Sequence, residues 1–235
     1  MTNTADAPTE TRIVATIHGV QVPQSPHFGP AMVQSITDGR YERGEIETGL
    51  SAIPEGARIL EMGTGSGIVG AVMALNRKPT AMLSVEANPN LLPQISALYQ
   101  QNGLQDSITL RHGVVFSQPN PPAMVEFFVA GNFLGSGLFR PEDKKRTAVQ
   151  VPVIPYDTLK AAFPHDVLMM DIEGAELDFL RHADLSGVTL FLAEFHRDIY
   201  GREGMRECRH LLDKAGFVID DTLSRAGVHV WRRRA

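Results

Sequence analysis

Short apolar runs and longer amphipathic segments alternate along the chain from about residue 57 onward. Strands that alternate with helices are typical of a parallel sheet with crossover helices, so the pattern predicts an α/β fold. The apolar runs predict seven strands: Arg58–Glu61, Met82–Glu86, Ile108–His112, Val167–Asp171, Val188–Glu194, Phe217–Asp220 and Val228–Trp231. The amphipathic segments predict helices at Val69–Leu75, Leu91–Asn102, Ala175–His182 and Arg202–Ala215. Only a short polar turn separates the last two strands, which we therefore expect to pair antiparallel.

The same pattern divides the chain into three segments. Residues 1–10 are polar and are expected to be disordered. Residues 11–55 are expected to form a cap or a dimer contact, and residues 56–235 the main domain, with a long insertion at 113–165 before its fourth strand. The first segment is predicted to hold a hairpin and two helices, at Arg12–Ile17, Val20–Val22, Pro30–Thr37 and Glu42–Leu50. The insertion is predicted to hold strands at Met124–Val129 and Ala148–Ile154.

Composition narrows the class of protein. With 235 residues, 43% of them hydrophobic, the chain can bury one sizeable core. The net charge of −5 provides no field that would attract nucleic acid. The single cysteine, Cys208, fits a reducing compartment, and no long apolar run suggests a membrane span or a signal peptide. We therefore expect a cytoplasmic protein.

A glycine-rich segment, Glu61-Met-Gly-Thr-Gly-Ser-Gly67, follows the first strand of the main domain. Gly63, Gly65 and Gly67 would let the backbone approach a cofactor closely, because a Cβ would intrude. The stretch Gly65–Gly70 also fits the G-x-G-x-x-G pattern of dinucleotide sites, which would indicate NAD. Glu61 argues against NAD, since a carboxylate is a poor neighbour for a pyrophosphate. It suits the ammonium and sulfonium groups of S-adenosylmethionine, which we predict as the cofactor.

Two further strand ends complete the predicted cofactor site. Glu86 ends the second strand, where its carboxylate can accept both ribose hydroxyls, and Ala87 follows it. After the third strand, Gly113 and Val114 are expected to pass under the adenine. Because ligands bind at the carboxyl ends of strands in open α/β sheets, these residues should line one cavity.

The acidic segment Asp171-Ile-Glu-Gly-Ala-Glu176 follows the apolar run Val167–Met170. Carboxylates are costly to bury unless they are paired or used. Glu176 begins a helix and is expected to be structural, because a carboxylate there meets the helix dipole favourably. Asp171 is expected to bind the substrate, the cofactor's amino group or a catalytic histidine. Three carboxylates within six residues therefore predict an acidic pocket at this strand end.

These segments resemble the FkbM family of S-adenosylmethionine-dependent methyltransferases over roughly residues 41–196. The matching stretches are Tyr41-Glu42, Glu61–Gly67, Val85–Pro89, Asn102–Leu104, Val151–Leu159, Asp171–Glu176 and Leu192–His196. The resemblance implies a class I methyltransferase fold, which is Rossmann-like, and O-methylation of a sugar, a polyketide or another small molecule. One departure is Glu61-Met-Gly-Thr, where the family tends to have Asp-Ile-Gly-Ala. That change preserves the charge and should not change the cofactor.

Four residues on two neighbouring strand ends are candidates for the general base. They are Asp171 and Glu173 on one strand end and Glu194 and His196 on the other. His196 is attractive because an imidazole titrates near neutral pH. Asp171, Glu194 and His196 are also adequate ligands for a hard metal if they converge. We predict a site without a metal, and Mg²⁺ bound by these three residues, where it would acidify a hydroxyl, is the alternative.

Three functions stay open at this level. The leading hypothesis is an O-methyltransferase whose partner is a small-molecule hydroxyl acceptor, with neither nucleic acid nor a membrane involved. The alternatives are an NAD(P)-dependent oxidoreductase and a non-catalytic protein that binds S-adenosylmethionine. A homodimer formed through the N-terminal hairpin and helices is a further hypothesis.

Overall fold

The computed structural model describes residues 12–131, 135–139, 145–225 and 227–234, so the predicted disordered segment 1–10 lies outside the described residues. The strands of the described chain are β1 (Ile13–Ile17), β2 (Val20–Pro23), β3 (Arg58–Met62), β4 (Ala81–Glu86), β5 (Ile108–His112), β6 (Val114–Phe116), β7 (Met124–Ala130), β8 (Arg146–Pro155), β9 (Val167–Met170), β10 (Leu190–Glu194), β11 (Phe217–Ile219) and β12 (Val228–Arg233). The helices are α1 (Pro30–Thr37), α2 (Arg43–Ala52), α3 (Ile68–Arg77), α4 (Leu92–Gln101), α5 (Tyr156–Ala162), α6 (Glu176–His182) and α7 (Arg197–Lys214).

Seven of these strands form the main sheet, in the order β11-β12-β10-β9-β3-β4-β5. The five strands from β10 to β5 are parallel, whereas β12 runs antiparallel to both of its neighbours. The predicted α/β fold with a mostly parallel seven-stranded sheet is confirmed, as is the antiparallel pairing of the last two strands.

The middle of the sheet is buried on both faces. All four residues of β9 are buried, as are the last four of β3, because helices cover both sides of a parallel sheet. One face packs against β1, β2 and α1 to α4, and the other packs against α5, α6 and α7. The central strands therefore read as continuous apolar runs, which is why the sequence reveals them.

A second, three-stranded sheet of order β6-β8-β7 lies between β5 and β9 in the chain. Strand β6 pairs parallel to β8, and β7 pairs antiparallel to it. The predicted strands at Met124–Val129 and Ala148–Ile154 correspond to β7 and β8. The pattern did not predict β6 or α5, because three residues and a seven-residue helix are too short to show a clear period.

The N-terminal hairpin packs on the main domain. Val20 and Val22 of β2 are fully buried in the same core as α3 and α4. The backbone of Gln21 exchanges two hydrogen bonds of 2.8 Å with the amide side chain of Asn102, just after α4. The hairpin is thus held both by apolar packing and by specific hydrogen bonds.

Several predicted boundaries shift. Strand β9 ends at Met170, so Asp171 lies just beyond it, and β10 begins at Leu190 rather than Val188. Helix α7 begins at Arg197 instead of Arg202, because Gly201 adopts φ 70° and ψ −170° and joins two helical pieces across a kink. Among the described residues, no helix is both long and apolar enough to cross a membrane.

Candidate active site

A cavity opens at the carboxyl ends of the parallel strands, where β3 and β9 lie side by side and the sheet order reverses. Ligands bind at this switch point in open α/β sheets. Seven carboxylate side chains line the cavity: Glu42, Glu45, Glu61, Glu86, Asp171, Glu173 and Asp178. Within the described part of the chain, the lining contains no lysine, arginine or histidine. The cavity is therefore suited to ligands that are neutral or positively charged.

The loop after β3 supplies two glycines with different tasks. Gly63 has φ +85°, and a Cβ there would lie 1.6 Å from the carbonyl oxygen of Asp171. Gly65 has φ +55°, and no described atom lies within 4 Å of a Cβ at that position. Gly63 thus allows β3 and β9 to approach each other, whereas Gly65 keeps the cavity wall thin.

The third predicted glycine, Gly67, does not line the cavity. A Cβ there would contact the side chains of Ile95 and Leu98 in α4. Gly67 therefore allows the start of α3 to pack closely against α4. The prediction that Gly67 contacts the cofactor is corrected accordingly.

Glu61 is buried within a hydrogen-bond network beneath the loop. Its Oε2 accepts hydrogen bonds from the hydroxyls of Ser84 and Thr64, and the Ser84 oxygen accepts one from Tyr99 at 3.4 Å. Burial raises the pKa of Glu61 to about 7, although the hydrogen bonds from Ser84 and Thr64 oppose that shift. The carboxylate therefore joins β3 to β4 while it lines the cavity floor.

Glu86 is also buried, at the end of β4. Its Oε2 accepts a hydrogen bond of 2.7 Å from the N–H of Gly65, and its Oε1 accepts one of 2.6 Å from the N–H of Asn88. Burial raises the pKa of Glu86 to about 7, against these backbone hydrogen bonds. Each oxygen retains a lone pair for a further donor, so the carboxylate can accept a pair of hydroxyls.

Ala87, Gly113 and Val114 line the cavity next to Glu86, as predicted from their strand ends. The N–H of Gly113 donates to the Glu86 carbonyl at 2.9 Å, which holds the ends of β4 and β5 together. Nε2 of His112 lies 3.1 Å from the carbonyl oxygen of Ala87. These residues form the part of the cavity wall next to Glu86, where the adenine of the cofactor was predicted to lie.

Asp171 and Glu173 line the cavity beyond β9. Oδ1 of Asp171 is buried and has no hydrogen-bond partner among the described residues. Burial raises the pKa of Asp171 to about 8; His196 opposes that shift, and the nearby carboxylates add to it. Glu173 accepts a hydrogen bond of 2.9 Å from the N–H of Gly135, in the loop between β7 and β8. Asp171 is thus a carboxylate with an acceptor position open toward a ligand.

His196 lies beside these two carboxylates but does not line the cavity. Its Nε2 is 3.7 Å from Oδ1 of Asp171 and 3.4 Å from Oε2 of Glu173. Its Nδ1 is 3.1 Å from Oε1 of the fully buried Glu176. Burial lowers the pKa of His196, but the Glu176 hydrogen bond and the surrounding carboxylates outweigh it and raise the pKa to about 9. His196 is therefore cationic at neutral pH, which argues against the role of general base considered for it.

The predicted metal ligands fall into two groups. Oxygen and nitrogen atoms of Asp171, Glu176 and His196 lie within 4.8 Å of one another, and so do oxygens of Glu45, Asp171 and Glu194. Glu194 and His196 thus share Asp171 as a neighbour but belong to different groups. The predicted trio of Asp171, Glu194 and His196 does not form a single group among the described residues.

The sequence predicted a cap role for residues 11–55 but did not name the residues of that segment that line this cavity. Tyr41, Glu42 and Glu45 line it, and the hydroxyl of Tyr41 donates a 3.0 Å hydrogen bond to Oγ of Ser66 in the glycine-rich loop. Glu42 precedes α2 in a left-handed backbone conformation, with φ 43° and ψ 37°, and Glu45 lies in the first turn of the helix. The Tyr41-Glu42 pair, which the family resemblance already included, was the available signal.

Residues 62–219, about two thirds of the chain, match the profile of the family described as the methyltransferase FkbM domain. The chain belongs to the FkbM methyltransferase family. Its cofactor is S-adenosylmethionine, as predicted. The enzyme is therefore a methyltransferase and not the NAD(P)-dependent oxidoreductase considered as an alternative. No protein of curated function matches this FkbM methyltransferase.

Solved structures share its fold at low sequence identity. Trm5b from Pyrococcus abyssi is 13% identical with a TM-score of 0.50, and the match covers 97% of this chain but only 57% of Trm5b. Streptococcus pneumoniae Sp1610, a candidate tRNA (m1A22) methyltransferase in complex with S-adenosyl-L-methionine, is 14% identical with a TM-score of 0.47, over 80% of this chain and 71% of that one. Precorrin-6y C5,15-methyltransferase from Geobacter metallireducens GS-15 is 10% identical with a TM-score of 0.47, over 82% and 87%. These likenesses concern the fold and leave the acceptor open.

The cavity of this FkbM methyltransferase fits S-adenosylmethionine. The carboxylate of Glu61 on the cavity floor suits the ammonium and sulfonium groups, and Glu86 offers two oxygens for the ribose hydroxyls. The open space next to Gly65 admits a ligand against the backbone. Carboxylates and glycines at these strand ends therefore match the donors and the charge of the cofactor.

The buried carboxylates make stability depend on pH. The pKa values of Glu61 and Glu86 are about 7 in the folded protein and near 4.5 ordinarily, so the folded state binds more protons between those values. The pKa of His196, about 9 instead of 6.5, acts in the same direction, because its stabilising charge is lost as pH rises through 9. Together these three shifts correspond to a loss of about 4 kcal/mol, so we expect the thermal midpoint to fall by on the order of 10 °C from pH 6 to pH 8. Scanning fluorimetry at constant ionic strength measures this, and a midpoint that rises over this range contradicts the assignment.

Proposed function

We propose that this enzyme transfers a methyl group from S-adenosylmethionine to a hydroxyl of a small molecule. The observation that carries the proposal is the lining of the cavity: seven carboxylates and several aromatic side chains, with no cationic side chain among the described residues. A concave site with this lining favours a neutral or positively charged acceptor of limited size.

The charge of the cavity argues against a nucleic acid acceptor. Nucleic acid binding depends on lysine and arginine side chains that neutralise phosphates. Here the net charge is −5, and seven carboxylates line the cavity, with no lysine or arginine among its described lining residues. Sp1610, the candidate tRNA methyltransferase, resembles this chain in fold at 14% identity, which does not transfer its acceptor to this protein.

The second sheet supports the acceptor side of the proposal. Phe116, Phe127, Leu138 and Phe139 line the cavity on the side of β6 and β7. We assign the segment 113–165 and the N-terminal residues 41–45 to the acceptor pocket, since both close the cavity over the strand ends. The proposed cap role of segment 11–55 follows from this placement, and its role in a dimer remains a prediction.

In this mechanism the cofactor supplies an activated methyl group. Glu86 and the backbone at Gly65 would hold its nucleoside, and Asp171 and Glu173, which line the same cavity beyond β9, would face the acceptor hydroxyl. Orientation of the reactants can lower the barrier by roughly 7–11 kcal/mol, and a general base adds a factor of about 10²–10⁴. The residues of this chain therefore position two molecules and accept one proton.

We assign proton acceptance to Asp171 among the four candidates. Its Oδ1 has no hydrogen-bond partner among the described residues and it lines the cavity, so in its ionised form it can accept the hydroxyl proton. His196 instead acts as a positioning residue: its cationic ring lies 3.7 Å from that oxygen and is held on the other side by Glu176. Glu194 lies outside the cavity lining.

Asp171→Asn tests this assignment. We expect turnover to fall by about 10²–10⁴-fold, because asparagine preserves the shape but accepts no proton. Binding of S-adenosylhomocysteine, measured by calorimetry, should weaken far less. Turnover is measured as methyl transfer to a panel of small hydroxylated acceptors, with the methylated atom located by mass spectrometry and NMR. Binding of S-adenosylhomocysteine without turnover on any acceptor would favour the non-catalytic alternative.

A further inference from the structure

Two of the seven carboxylates that line the cavity have no partner in the described protein. Glu61 and Glu86 are held by internal hydrogen bonds, and Asp178 is paired with Arg181 at 2.8 Å. Asp171 and Glu173 face His196. The carboxylates of Glu42 and Glu45, at the start of α2, form no hydrogen bond or ion pair with any described residue.

These two side chains lie close to other carboxylates. Oxygen atoms of Glu45, Asp171 and Glu194 lie within 4.8 Å of one another. Burial raises the pKa of Glu45, and the charges of Asp171, Glu42 and Glu194 raise it further. Unpaired carboxylates so close together destabilise a fold unless a cation joins them. The arrangement therefore suits a ligand that brings a positive charge to Glu45 and Glu42.

The cavity wall on the side of the second sheet is apolar and aromatic. Phe116, Phe127, Leu138 and Phe139 line the same cavity, and Phe139 is 45% exposed. Aromatic faces beside carboxylates are typical of sites for organic ammonium ions. A hydrated Mg²⁺ ion would gain nothing from such a wall, because it retains several waters and is bound through oxygen atoms. The combination favours an organic cation over a metal ion.

We propose that the methyl acceptor carries a protonated amine, which Glu45 and Glu42 bind while its apolar part lies against the phenylalanines of the second sheet. The inference rests on the proposed function and narrows its substrate class to amine-bearing hydroxyl compounds. The amine is a recognition group, and the methylated atom is the hydroxyl oxygen. Transfer forms the O–CH₃ bond, breaks the S–CH₃ bond of the cofactor and passes the hydroxyl proton to Asp171.

Matched probes that differ only in the amine test the proposal. Tyramine and tyrosol share a phenol and differ in an aminoethyl or hydroxyethyl arm, and glucosamine and glucose differ at one position. With the full-length protein saturated with S-adenosylhomocysteine, we expect at least one amine to bind about tenfold or more tightly than its neutral partner. Glu45→Gln should reduce that ratio to about twofold or less, because the substitution removes the charge at nearly constant volume.

Glu47→Gln is the matched control. Glu47 lies on the same helix but is paired with Arg43 at 2.7 Å and does not line the cavity. It should leave the amine preference unchanged, which separates a local contact from the general field of the protein. Two results overturn the inference: neither amine binds more tightly than its neutral partner, or MgCl₂ binds in a Glu45-dependent manner while the amines do not. Methyl transfer to the amine nitrogen would agree with amine binding by Glu45 and Glu42 but would contradict O-methylation. The experiment therefore distinguishes a failure of this inference from a failure of the proposed function.

Discussion

Glu86→Gln is expected to weaken the binding of S-adenosylhomocysteine by about 100-fold. The two carboxylate oxygens of Glu86 already accept the N–H groups of Gly65 and Asn88, and they remain the acceptors for the ribose hydroxyls. A glutamine would turn an NH₂ group toward one of those N–H donors and would lose the charge. Hydrogen bonds to charged groups contribute about 1.5–3 kcal/mol each, so a loss near 2.7 kcal/mol corresponds to that factor.

Calorimetric titration of the wild type and the variant at pH 8, where the carboxylate is ionised, measures this effect. Glu55→Gln, at an exposed position before β3, serves as the control and should bind like the wild type. A titration of the wild type from pH 6 to pH 8 should also show tighter binding as Glu86 ionises. A variant that binds within about threefold of the wild type would remove Glu86 from the cofactor site.

Gly63→Ala is expected to destabilise the fold by roughly 3–5 kcal/mol. A Cβ at this position would lie 1.6 Å from the Asp171 carbonyl oxygen, and the backbone has φ +85°. Overpacking typically costs about 1–3 kcal/mol, and a left-handed conformation costs an L-residue about 1–2 kcal/mol more. The thermal midpoint should fall by roughly 10 °C or more, or the variant should fail to accumulate as a folded protein.

Gly65→Ala is the matched control, two residues along the same loop. No described atom lies within 4 Å of its added methyl group, so only the cost of its φ of +55° applies, about 1–2 kcal/mol. This variant should remain folded but bind S-adenosylhomocysteine poorly, because the methyl group enters the cavity. Equal stability of the two variants would contradict the close approach of β3 and β9.

The parallel sheet was predictable because its strands are buried on both faces. Strand β9 consists of Val167, Leu168, Met169 and Met170, and no polar residue interrupts it. Helices between such runs are amphipathic, so the alternation of the two patterns is visible without any structure. Short elements were not predictable, since β6 has three residues and its pairing with β8 depends on residues nearly forty positions away.

The predicted site residues divide along similar lines. Glu86, Gly113 and Asp171 line the cavity because each follows a parallel strand, and strand ends meet at one edge of a sheet. Glu45 was missed because α2 reaches the cavity only through tertiary packing. The cationic state of His196 was also out of reach, since it depends on the fully buried Glu176, twenty residues earlier in the chain.

The hydrogen bond from Tyr41 to Ser66 makes the N-terminal segment and the glycine-rich loop one unit. Oγ of Ser66 also accepts the N–H of Ile68 at 3.2 Å, in the first turn of α3, so the contact reaches the start of the helix behind the loop. A chimaera that joined the sheet of this enzyme to the N-terminal segment of a distant relative would separate these partners. The N-terminal segment and the cofactor loop therefore cannot be exchanged independently of each other.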